Sequence, residues 1–180
     1  MLMYILIGIA AVVLILIAIV AAQPADFKVS RSMKMGASPS AVFPLVNELH
    51  NWEGWSPWAK LDPNQQVTIT DPSSGVGASH SWNGNKNVGE GKMTIVDCQP
   101  EKRVGIKLEF LRPFKCNHDV EFAFQQEGDG TDVTWTMTGR NGFMGKMMGL
   151  MMNMDKMCGG QFEEGLTGIK LIAETAAAKC

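Results

Sequence analysis

The chain has one tyrosine, three histidines and no C-x-x-C pair, so its 180 residues carry few of the groups on which catalytic signatures are built. No H-E-x-x-H, no Ser-His-Asp order and no phosphate loop is present, which leaves zincin, serine-hydrolase and P-loop chemistry without a carrier. Gly75 and Gly77, and Gly89 and Gly91, are lone G-x-G pairs with no helix behind them, and read as turns. The four cysteines, Cys98, Cys116, Cys158 and Cys180, are scattered, which argues against a zinc or dithiol site. Two disulfides are arithmetically possible, but scattered thiols in a domain with an ample core are more simply free and cytoplasmic. Net charge is −2 with the signs interspersed, so there is no electrostatic case for nucleic acid. No internal repeat occurs, and no metal or cofactor is expected.

Charge is also missing from Tyr4 to Ala22, "YILIGIAAVVLILIAIVAA". That length is close to what a helix needs to cross a hydrocarbon core of ~30 Å. A signal peptide cleaved behind Ala22 competes, since Val20 and Ala22 are suitably small. Such a peptide has a basic start and an apolar core of roughly 7–15 residues, and here no Lys or Arg precedes the run. We read residues 1–23 as an uncleaved transmembrane anchor, 24–26 as a linker and 27–180 as one folded domain. Lys28, Arg31 and Lys34 follow the span, and the excess of positive charge there places the domain in the cytoplasm, at an inner membrane.

After the anchor, "FKVSRSMKM" alternates as a first strand, although Arg31 falls on its apolar side. Ser38 and Pro39 suit a helix N-cap and first position, and Val42, Leu45, Val46 and Leu49 give a helical stripe that Pro44 should kink or shorten. "NWEGWSPW" places Trp52, Trp55 and Trp58 around Gly54 and Pro57, which predicts a loop whose rings plug one end of the core or rim a pocket. From Gln65 to Gly139 six further strands follow with period two, separated by turn formers. Val104, Ile106, Leu108 and Phe110 share one face, as do Val120, Phe122 and Phe124, and Val133, Trp135 and Met137. One dry and one wet face describe an antiparallel sheet.

Past Asn141 the apolar positions step by three and four, from Phe143 through Met147, Leu150, Phe162, Leu166 and Ile169 to Ala173. Gly159 and Gly160 are expected to divide this into a short helix and a long one. Seven methionines, Met144, Met147, Met148, Met151, Met152, Met154 and Met157, fall within fourteen residues. Met is flexible and polarizable and suits surfaces that fit several apolar ligands; a loosely specified core helix is the plainer reading. Copper through thioethers is a third, weakened by the lack of a nearby His or Cys pair.

The chain resembles the SRPBCC superfamily (START-like, birch-pollen-allergen-like), in its bacterial polyketide cyclase/dehydrase and lipid-transport branch. The likeness rests on "ASPSAVFPLVNELHNWEGWSPW" behind a first strand, then "GVGASHSWNGN", "GEGKMTI", "LEFLRPF", "VTWTMTG" and "MGLMMNMDKMCGGQFEEGL". It implies an α+β helix-grip fold: a seven-stranded antiparallel sheet wrapped around a long C-terminal helix, here preceded by one transmembrane helix. It also implies an apolar cavity between sheet and helix.

On that frame the expected partners are a hydrophobic small molecule or lipid, and the bilayer through residues 4–22. Trp55, Trp82, Phe110, His118, Phe122, Trp135, Met137, Met147, Met148 and Met151 are the expected ligand contacts. The pocket mouth is expected at the side of Phe27, bordered by Met147, Met148, Met151 and Trp55. A cyclase or dehydratase acting on a polyketide-type substrate is the alternative, with His80, His118, Glu109 and Arg140 as polar candidates. Glu109 lies on the wet face and Arg140 ends a strand, so no convergent catalytic set is visible and no catalytic residue is assigned.

Overall fold

The computed structural model describes residues 1–151 and 154–178; the side chains of Met148, Met151, Met154 and Met157 lie outside the described set. Helix α1 (Leu2–Ala22) is apolar throughout, and Val20 is its one buried residue. Strand β1 (Asp26–Met35) leads into α2 (Pro39–Asn47), a 3₁₀ turn (Leu49–Asn51), α3 (Trp52–Trp55) and α4 (Pro57–Leu61). Then come β2 (Gln66–Ile69), β3 (Ser79–Asn83), β4 (Glu90–Gln99), β5 (Arg103–Arg112), β6 (Cys116–Glu127) and β7 (Gly130–Arg140). Helices α5 (Phe143–Met151) and α6 (Met154–Ala177) close the chain. The strands form one antiparallel sheet in the order β1-β7-β6-β5-β4-β3-β2, the helix-grip arrangement expected from the sequence.

The Trp segment is not a loop. Pro57 starts a helix as readily as it ends one, because the first helical position needs no N–H, and both α3 and α4 form within it. Each of the first two rings has its polar edge satisfied: Trp52 Nε1 donates to Val46 O and Trp55 Nε1 to Leu45 O, both at 2.8 Å. Ser38 precedes α2 as expected, but its hydroxyl pairs with Ser40 Oγ instead of capping the helix. Pro44 sits inside α2, which ends at Asn47; the Pro44 carbonyl accepts from Glu48 N and Asn51 Nδ2.

Gly159 and Gly160 do not break the last helix, since α6 runs through both. Its apolar stripe, Phe162, Leu166, Ile169 and Ala173, is fully buried against the sheet and α3. Each of the larger side chains contributes about 1.5–3 kcal/mol of burial. The missing Cβ at Gly159 has a use, because a side chain there would collide with the Arg31 guanidinium. Arg31 crosses from β1 to α6, where Nη1 and Nη2 donate to the two Asp155 carboxylate oxygens at 2.9 and 3.0 Å and Nε donates to Glu163 Oε1 at 2.7 Å. Residues 155, 159 and 163 share one helix face. This explains a cation at an apolar position of β1: the strand is an edge, and the side chain fastens the start of α6. At the other end, Glu174 Oε1 accepts from Gly36 N at 2.7 Å and Lys170 Nζ donates to Lys34 O.

Candidate functional site

The inner face of the sheet divides into two halves by register. One pair of cross-strand rows is Ile95, Ile106, Val120, Met137 and Val29, followed by Cys98, Val104, Phe122, Trp135 and Arg31. These rows lie under α3 and α6, and their large apolar members are buried. Trp135 stacks on Phe162 at 4.2 Å with ring planes 6° apart, Phe122 lies 4.6 Å from Trp135, and Trp55 meets both edge-on. Trp55, Phe122 and Trp135 therefore pack ring on ring in the interior, and Trp55 does not border a mouth. Met137 is buried in the same half. Large aromatics brought in by α3 fill the space that a simpler loop would have left open.

The other half is less covered. Its first row is Ile69, His80, Met93, Leu108, His118, Gly139 and Phe27; its second is Val67, Trp82, Gly91, Phe110 and Cys116. Most of these side chains are only half-buried, and Val67 is exposed. The rings form a chain across the sheet. Phe27 meets His118 edge-on at 5.0 Å, His118 meets Phe110 at 6.0 Å, Phe110 meets Trp82 at 5.7 Å, and Trp82 meets His80 at 6.2 Å. Two glycines let these rings come close to the strand backbone. A Cβ at Gly91 would come 2.6 Å from Trp82 Cη2, and one at Gly139 would strike the His118 ring and come 2.8 Å from Phe27 Cε1.

His118 is buried, His80 is half-buried, and Nδ1 of each has no hydrogen-bond partner among the described residues. Burial pushes both imidazoles below their ordinary pKa, so both are neutral near pH 7. Three strand spacings of ~4.8 Å set them roughly 14 Å apart on one row. Both Nδ1 atoms are sealed from solvent, that of His118 against Gly139, so the strip is an apolar floor suited to an elongated, mostly hydrophobic molecule. Glu109 lies on the opposite face by strand parity, and Arg140 is exposed at the sheet end beside Asp26. Neither joins the histidines.

Met147 is exposed on α5, while the Met148 and Met151 side chains fall outside the described residues. Cys98, Cys116 and Cys158 are free thiols, and no group of three or more metal-ligating side chains occurs among the described residues. A concavity of about 390 Å³ on the outer face is lined by Asp97, Arg103, Asp119, Glu121 and Thr136, among others. Arg103 there pairs with Asp97 and Glu121, and such a charged surface does not suit an apolar ligand. Val67 and Met93 escaped notice in the sequence, and Phe27 and Leu108 are not among the expected contacts. The signal for Val67, Met93 and Leu108 is register, since they lie opposite Trp82, His80 and His118.

A family profile described as polyketide cyclase/dehydrase and lipid transport matches residues 26–174. No curated protein sequence matches the chain. Among solved structures, the Aha1 dimer from Colwellia psychrerythraea is similar with a TM-score of 0.60 and 14% identity over 82% of this chain and 96% of that one. Protein CV1439 from Chromobacterium violaceum has a TM-score of 0.59 and 11% identity, covering 84% of this chain and 99% of that one. The di-domain ARO/CYC StfQ from the steffimycin biosynthetic pathway has a TM-score of 0.61 and 10% identity, with 86% of this chain covering 53% of that one. At such identities the likeness is one of fold.

Proposed function

Because the chain belongs to the polyketide cyclase/dehydrase and lipid-transport family, we propose that it is a membrane-tethered binder or carrier of a hydrophobic small molecule such as a lipid. The observation that carries this reading is the half-covered ring strip from Phe27 to His80, beside a core that is otherwise closed. Trp82, Phe110 and His118 are the proposed contacts, joined by Phe27, Met93 and Leu108.

The tether is α1. Its 21 residues extend about 31 Å at 1.5 Å each, which matches a hydrocarbon core. Three residues, Gln23 to Ala25, join it to β1 and reach ~10 Å at most. The first row of the strip begins at Phe27, one residue into that strand. An apolar molecule leaving the bilayer would thus meet the strip with little exposure to water. Lys28, Arg31 and Lys34 beyond the span support a domain on the cytoplasmic side. A C-terminal phosphatase fusion is expected to be inactive, and an active one would reverse the orientation.

The test of binding is native mass spectrometry of the full chain in nanodiscs, with uptake of a fluorescent fatty acid as the second readout. Expected are a bound apolar mass and uptake that falls in Trp82→Ala and Phe110→Ala. An empty protein without uptake overturns the reading.

A second reading is favoured by two neutral imidazoles on the strip. His118 or His80 beside an aromatic floor would act through Nε2 as a general base on a polyketide-type substrate, since Nδ1 of each is sealed from solvent. Turnover of a polyketide mimic that is lost in His118→Phe, with fatty-acid uptake retained, would establish it. Turnover unaffected by His118→Phe and His80→Phe together would remove it.

A further inference from the structure

We propose that the end of the domain next to α1 carries a second contact with the bilayer, built from the tip of the β5–β6 hairpin and from α5. The proposal rests on reading α1 as a membrane span.

The register places these elements together. Phe27 pairs with Gly139, Gly139 with His118, and His118 with Leu108, so the start of β1, the end of β7 and the β5–β6 turn lie at one end of the sheet. The turn projects one row further, beyond the Phe110–Cys116 pair. It is two to three strand spacings from β1, roughly 10–14 Å to the side of the point where α1 arrives. Leu111 and Phe114 on it are 47% and 52% exposed. Helix α5 follows β7 at the same end and packs on α1, with Lys146 Nζ donating to Ala21 O at 2.9 Å. Phe143, Met144, Met147 and Leu150 on it are also exposed. Two separate elements thus present apolar side chains beside the only helix, among the described residues, that is apolar enough to span a membrane.

Charge points the same way. Lys86, Lys115, Arg140 and Lys146 are at this end, where the acids Asp26 and Glu90 face Arg140 and Arg112. The opposite end turns through "QPEK" and "EGDG", which are polar and acid-containing. Exposed apolar groups interleaved with cations, continuous with a span, fit a bilayer surface with anionic headgroups. The contact fixes the tilt of the domain and holds the half-covered strip over the lipid surface.

The test uses the full chain in vesicles of phosphatidylcholine, and of phosphatidylcholine mixed with phosphatidylglycerol. A photoreactive benzoylphenylalanine replaces Leu14 in α1, Phe114 at the hairpin tip, or Val76, an exposed residue of the opposite end. Lipid adducts are counted by mass spectrometry. Expected are adducts at 14 and 114 on the order of tenfold above those at 76, with the yield at 114 raised by phosphatidylglycerol. Adducts at 14 with none above the 76 level at 114 overturn the second contact and leave the span standing. Adducts at 114 without any at 14 overturn the span and leave the contact. Absence at both overturns both. All three positions are exposed, so the substitutions leave packing intact.

Discussion

Replacing Trp55 and Trp82 separately by alanine should split stability from binding. Trp55 is 1% exposed, lies 4.6 Å from Trp52 and 5.7 Å from Trp135, and donates to Leu45 O. Truncating such a ring costs about 3–5 kcal/mol in lost transfer and cavity terms. Stranding the Leu45 carbonyl adds about 1 kcal/mol. A domain of this size loses roughly 2–4 °C of Tm per kcal/mol, so Trp55→Ala should melt on the order of 10–20 °C lower. Trp82 is half-buried and its one hydrogen bond, to Val88 O, is 3.1 Å long. Its truncation should cost about 1–2 kcal/mol, a few degrees, while fatty-acid uptake falls severely. The assay is thermal unfolding of the full chain in mild detergent, followed by near-ultraviolet circular dichroism, with uptake measured well below either transition. Equal melting losses in both variants with unchanged uptake would show that the Trp82 strip is core. A Trp55→Ala protein that melts as the parent but no longer binds would show that the filled half is the site.

Acid should loosen the domain through its histidines. Their native pKa values lie below the ordinary value near 6.5, so the unfolded chain takes up protons first, and stability falls as pH drops below about 6.5 until the native pKa values are passed. His80→Phe with His118→Phe should flatten that stretch of a urea-midpoint-against-pH curve, and an unaltered slope would refute the assignment. Gly139→Ala should destabilise by about 1–3 kcal/mol because its methyl meets the His118 and Phe27 rings, and should perturb the His118 imidazole resonances; a neutral effect on both counts against the close packing of these rings on β7. Arg31→Met should speed hydrogen exchange at the first turns of α6, around residues 155–163, with β6 and β7 unchanged; uniform protection would show that packing alone holds that end.

The sheet was legible because period-two alternation survives in every long strand: Val104 to Phe110 and Val133 to Met137 read as dry edges without any knowledge of pairing. The helix-grip arrangement was implied by the family resemblance, and the one long C-terminal stripe agreed with it. Three features resisted, each for a local reason. Gly159 looked like a helix breaker because propensity is a property of the isolated residue, whereas its value here depends on a guanidinium arriving from β1. The Trp segment looked like a loop because Gly and Pro punctuate it, yet α3 runs through Gly54 and α4 starts at Pro57 once the rings have a core to enter. The site was half legible: Trp82, Phe110 and His118 share the open strip, but Phe122 and Trp135 carry the same alternation and, with Trp55 from α3, lie in the closed half. Parity selects a face of a sheet. Which rows on that face are covered depends on where α3 and α6 land, a long-range fact that no window of sequence contains.

That uneven cover limits how tightly anything can be held. A buried aromatic ring hides about 150–250 Å², so one that is mostly covered leaves on the order of 50 Å² to a ligand. For Phe27, Trp82 and Phe110 together, at ~25 cal/mol per Å², the gain is about 4 kcal/mol. Matching apolar surface on the ligand contributes a comparable amount, and association costs take back roughly 4–15 kcal/mol. At the low end of that cost about 4 kcal/mol is left, a millimolar affinity, far from that of a permanently held prosthetic group. A strip of this kind, if it binds as proposed, suits exchange over permanent retention. The expected outcome is that ligand carried through purification washes out on repeated exchange into lipid-free nanodisc-compatible detergent, and that uptake saturates at micromolar or higher concentration. Retention through such washing, or nanomolar saturation, would mean that more of the ligand is enclosed than the half-covered rows can account for.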